Sequence, residues 1–108
     1  MNAPGPATTP LSVWLEGRTA RAPQALRERV AEYAAAIPPG PRIAESLAHA
    51  GSTALDRALE QPNDRSAALD LLAADALVTL ALLAQAEQEA AGLAGFAAAL
   101  VQAHRAGT

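Results

Sequence analysis

The sequence predicts an all-α protein: an antiparallel up-and-down bundle of four main helices, with a short N-terminal helix added. Three observations lead there. Alanine, the strongest helix former, fills 30 of the 108 positions, while aromatic residues make up 3% and valine plus isoleucine only six positions. Apolar residues recur at spacings of three and four, which places them on one side of a helix. Proline and glycine interrupt the chain at short intervals, and the brief connections they leave favour antiparallel neighbours.

Residues 1–9, with Pro4, Gly5, Pro6 and two threonines, read as a disordered tail ahead of a single domain spanning 10–106. Thr9-Pro10 pairs a capping residue with proline at the first helical position, and the short helix that follows carries Leu11, Trp14 and Leu15 before Gly17. A second helix starts at Ala22-Pro23 and ends before Pro38-Pro39-Gly40. Its seam is Leu26, Val30, Tyr33 and Ile37, with Arg27, Glu28, Arg29 and Glu32 off that seam.

The third helix is expected over about 41–60, with Ile43, Leu47, Ala50, Gly51, Ala54, Leu55 and Ala58 inward. So many small residues allow a close neighbour. Gln61-Pro62-Asn63 then makes a turn, with Asn63 or Asp64 as the next cap. The fourth helix, about 64–91, carries two apolar stripes. One is Leu69, Leu72, Ala76, Leu80 and Leu83; the other is Leu71, Val78 and Leu82, with Asp75 inserted. A helix apolar on two sides is central in its bundle or shared with a second chain. Gly92 and Gly95 are expected to break or bend it, and a last helix with Leu93, Phe96, Ala97, Leu100 and Val101 runs to about Arg105. Only about 24 large apolar residues are spread over these five segments, so completion by a second protomer, as a homodimer, is the expectation.

Composition removes whole classes of chemistry. Without cysteine there are no disulfides, thiolate nucleophiles or zinc–cysteine sites, and without lysine there is no Schiff base or P-loop. A net charge of −3 with no basic stripe argues against nucleic acid. Rich in Ala, Arg, Leu, Pro and Gly, the chain has the look of high-GC bacterial coding. The first ten residues do not resemble a signal peptide, and the eleven uncharged residues 76–86 fall short of the ~20 a membrane span needs. The expectation is a soluble, cytoplasmic protein off the membrane. No cofactor or metal is expected, because Glu-x-x-His is absent and the two histidines are far apart.

Asp75 draws the most attention. Positions 71, 75, 78, 82, 85 and 89 step by four and three, a heptad-like seam, and a carboxylate inside one must find a partner or take up a proton. Three readings stay open: a ligand-binding or acid–base group with Thr79 one turn on, an ion pair with an arginine of another helix or protomer, or a water-facing side chain. Trp14 either lids the bundle or anchors a partner, with Arg18 and Arg21 nearby for an acidic surface. His104 sits near a helix C-terminus, where a cation suits the dipole.

His49, on a polar helix face after Glu45, resembles the phosphorylated histidine of histidine phosphotransfer domains, which are four-helix bundles of this size. The lysine and glycine that usually follow in that family are Ser52 and Thr53 here. The functional expectation is a non-catalytic interaction module that associates with itself, through Leu71, Asp75, Val78 and Leu82 with Trp14 as a further contact, and also with another protein. A small-molecule-binding bundle with a pocket near Asp75 and Thr79 is the alternative, followed by phosphotransfer through His49.

Overall fold

The computed structural model describes residues 9–107 except Pro39 and Pro62. Apart from Thr9, the tail expected to be disordered lies outside the described residues. Four helices account for the fold: α1 (Pro10–Thr19), α2 (Gln24–Ala35), α3 (Ile43–Glu60) and α4 (Arg65–Ala106). No strand occurs among the described residues.

The helix starts follow from local chemistry. Thr9 caps α1 through a reciprocal box with Ser12: the Ser12 amide donates to Thr9 Oγ1 at 3.0 Å, and the Thr9 amide donates to Ser12 Oγ at 2.9 Å. Pro23 stands at the N-cap of α2, and Asp64 caps α4 by accepting the Ala67 amide at 2.9 Å.

The expected break at Gly92 and Gly95 does not occur. α4 continues for 42 residues, so the anticipated fourth and last helices are one. No described glycine has a positive φ, which removes the left-handed turn by which glycine usually ends a helix. Each glycine costs about 1 kcal/mol of helix propensity, a burden the surrounding alanines tolerate. At 1.5 Å per residue α4 is about 63 Å long, and it sets the molecule's dimensions of 67 × 41 × 25 Å. The radius of gyration is 18.1 Å, well above the ~13 Å of a compact chain this long.

α3 packs along the N-terminal half of α4, α2 lies against both, and α1 rests on α2. As its seam predicts, α2 buries Val30 and Tyr33, with Leu26 and Ile37 half-buried. α3 buries Ala44, Leu47, Ala50, Gly51 and Ala54, whereas Leu55 stays exposed.

On α4 the inward face differs from either leucine stripe. Ala67, Asp70, Ala73, Ala74, Leu77, Ala81 and Ala84 are buried. Leu69, Ala76 and Leu80 are half-buried, and Leu72 and Leu83 are exposed. The cause is the close approach of α3. A Cβ on Gly51 would lie 3.0 Å from Val78 Cγ2 and 3.3 Å from Leu77 Cβ. At that separation alanine fits between the helices and most leucines do not. Leu47, Leu77 and Val30 are the large apolar side chains enclosed at the centre.

Beyond Ala84 every described residue of α4 is exposed. The helix leaves its bundle as a bare arm of about six turns. By length and composition α4 would suffice to cross a membrane: an 18-residue window reaches a mean hydropathy of 2.0, with 39% of it buried inside the fold. The sequence estimate of eleven residues stopped at Asp75, and a window tolerating two acids is longer. A core helix of a soluble protein meets the same criterion.

Candidate functional site

Three features stand out on this scaffold: a buried carboxylate, a clasp on the N-terminal helix, and an uncovered apolar stripe.

The buried carboxylate is Asp70, fully enclosed on the inner face of α4. Arg29 and Tyr33 lie one turn apart on α2, so both reach it. Arg29 Nη1 donates to Asp70 Oδ1 at 2.5 Å and Tyr33 Oη to the same oxygen at 2.8 Å. Gln61, at the end of α3, donates through Nε2 to Oδ2 at 3.0 Å. One carboxylate thus ties α2 and α3 to α4. Burial alone would raise the Asp70 pKa, but the hydrogen bonds from Tyr33, Arg29 and Gln61 outweigh it and hold the group below the usual carboxylate range. Tyr33 is pushed up, first by burial and then by its bond to Asp70. Arg29 is raised by its bond to the same carboxylate. The Arg57 guanidinium lies 5.8 Å above the Tyr33 ring, at the mouth of a small polar cleft of about 350 Å³. No buried side-chain nitrogen or oxygen among the described residues lacks a hydrogen-bond partner, which suits a cluster that fixes helices.

Trp14 and Arg18, one turn apart on α1, converge on Glu87 of α4. Arg18 Nη2 donates to both Glu87 oxygens at 2.8 and 3.0 Å, and Trp14 Nε1 donates to Oε2 at 3.3 Å. The guanidinium stacks 4.5 Å from the Trp14 ring centre. The bond from Arg18 holds the Glu87 carboxyl below its ordinary range. Trp14 is half-buried here. Between α1 and α2 lies an open groove of about 870 Å³, walled by Leu11, Leu15, Val30, Ala31 and Ala34.

The remaining sequence candidates lie outside these clusters. Asp75 and Thr79 are exposed, neither lines either cleft, and no hydrogen bond or ion pair to Asp75 occurs among the described residues. Within one chain the Asp75 carboxylate faces water. Leu71, Val78 and Leu82 are 53%, 48% and 69% exposed, so the second stripe is uncovered. On the arm, Leu93, Phe96, Leu100 and Val101 are likewise exposed. His49 is exposed, and its neighbour Glu45 pairs with Arg42 at 3.4 Å. His104 and Arg105 occupy the last turn of α4. No group of three potential metal ligands exists among the described residues.

Sequence reasoning passed over Asp70. A signal existed: Asp70 stands three residues after Ala67 and seven before Leu77, on the alanine face. Arg29 and Tyr33 at i and i+4 could have suggested donors. No protein family model matches the chain, and no curated protein or solved structure matches it either.

Proposed function

We propose that this chain is a non-catalytic, soluble helical association module that pairs with a second copy of itself through the second apolar stripe of α4. One observation carries the reading: a helix that runs far past its own bundle with large apolar side chains uncovered along it. An isolated helix of some 20 residues is marginal in water even when alanine-rich, so the arm gains stability from a partner surface. Aligned exposed leucines, a valine and a phenylalanine mark a contact face more often than a solvated one.

In this reading the short turns join the helices into an antiparallel up-and-down bundle, and the partner supplies the missing main helix. Asp75 sits within the contact face, and Trp14 acts as the lid. The buried Arg29–Asp70 pair suits a helix working in water, with charged neighbours on both sides of the apolar run.

Light scattering over a dilution series tests this, with helicity followed in parallel. The expected result is a dimer whose helix content falls on dissociation. Leu82→Glu should give monomers; Val78→Glu should too, although Val78 also touches the Gly51 side of α3. Unchanged mass in Leu82→Glu, or a fully helical monomer at all concentrations in the parent, would overturn the proposal.

A further inference from the structure

Resting on the self-association reading, we infer that two α4 helices pair antiparallel, with the two-fold axis level with Glu87, so that each arm lies on its partner's exposed stripe. The seam consists of positions 71, 75, 78, 82, 85, 89, 92, 96, 99 and 103, spaced alternately by four and three, and all are exposed. Such a seam mirrors itself about residue 87. Antiparallel pairing then sets Leu71 against Ala103, Asp75 against Ala99, Val78 against Phe96, Leu82 against Gly92, and Gln85 against Glu89.

Size and charge both select this orientation. Each bulky residue meets a smaller one: phenylalanine over valine, leucine over alanine, leucine over glycine. Parallel in-register pairing would stack Phe96 on Phe96 and leave Gly92 facing Gly92, an uneven seam. It would also set Asp75 against Asp75 and Glu89 against Glu89, like charges inside a drying contact. In the antiparallel pair Glu89 faces the Gln85 amide, which already donates to Glu89 within one helix at 3.3 Å.

Length fits as well. The arm begins after Ala84, the last buried residue, and residues 88–103 reach about 24 Å. That matches the partner's stripe over 71–86. The clasp on Glu87 lies about 180° around the helix from the seam centre and leaves it free, while α3 borders the seam at Val78, whose Cγ2 lies 3.0 Å from where a Gly51 Cβ would stand. Leu71, Val78, Leu82, Leu93, Phe96 and Leu100 are 48% to 69% exposed.

The chain has no cysteine, so single introduced cysteines carrying spin labels report the geometry directly. Gln85→Cys and Ala103→Cys both sit on exposed helix, and circular dichroism verifies that each variant remains folded. The antiparallel pair predicts a short separation at residue 85, with helix levels about 6 Å apart, and about 48 Å at residue 103. Short distances at both sites mean a parallel dimer. A long distance at 85 with a short one at 103 means pairing of the arms alone. Either result overturns the orientation while leaving self-association standing. Absence of any dipolar coupling, together with a monomeric mass of the unlabelled parent chain, overturns both.

Discussion

Replacing Asp70 by alanine should be among the most damaging single changes in this protein. The carboxylate is fully enclosed and accepts hydrogen bonds from Arg29, Tyr33 and Gln61. Removing one partner of a buried ion pair costs about 3–5 kcal/mol, mostly because the remaining charge is stranded. The Arg29 side chain is 26% exposed, so it can recover some hydration, which favours the lower end. Tyr33 is 6% exposed and cannot; its orphaned hydroxyl adds about 1 kcal/mol or more. A loss of about 4 kcal/mol follows, equivalent to a fall in Tm of about 16–32 °C for a domain of this size.

Asp70→Asn separates charge from geometry. Its carbonyl can still accept from Arg29 and Tyr33, so a smaller loss of about 1–2 kcal/mol is expected. Urea and thermal unfolding followed at 222 nm measure both variants at one protein concentration, because association adds to apparent stability. Exposed Asp75→Ala serves as the control and should stay within about 0.5 kcal/mol of the parent. If Asp70→Ala behaves like Asp75→Ala, the carboxylate does not hold α2 and α3 to α4.

Gly51→Val should destabilise the fold by about 1–3 kcal/mol, because α4 already sits against the place its side chain would need; chemical denaturation reads this, and a neutral effect would show the two helices to be further apart. Gly95→Ala, in open space on the arm, should raise helix stability by up to about 1 kcal/mol, visible as greater ellipticity at 222 nm. On the acid side, Asp70 and Glu87 have depressed folded pKa values, so their contributions are complete above about pH 5 and disappear as pH falls below about 4. On the alkaline side, the raised pKa of Tyr33 gives a contribution that is lost as pH climbs past about 10. Tyr33→Phe should flatten that alkaline limb in a pH series of melting curves.

Much about this protein is determined by the sequence alone. Alanine content and three–four periodicity specify helices; Thr9-Pro10, Pro38 to Gly40 and the turn at 61–64 place three of the boundaries. The α2 seam of Leu26, Val30, Tyr33 and Ile37 is legible residue by residue, because large apolar groups on a charged helix leave one choice of inner face. α4 offers no such contrast: it is apolar nearly all round, and periodicity cannot say which side a neighbour will take.

That choice belongs to the tertiary structure. Gly51 and its alanine neighbours on α3 permit a close approach, and only a face as small as Ala67, Ala73, Ala74, Ala81 and Ala84 fits against them. The leucines are consequently turned outward, to the surface proposed to meet a second chain. The same rotation decides between two acids five residues apart, about 140° around the helix. Asp70 is carried to donors from α2 and α3, and Asp75 is left facing water. A helix repeat specifies relative directions, while the distance to its neighbour determines which of them points inward.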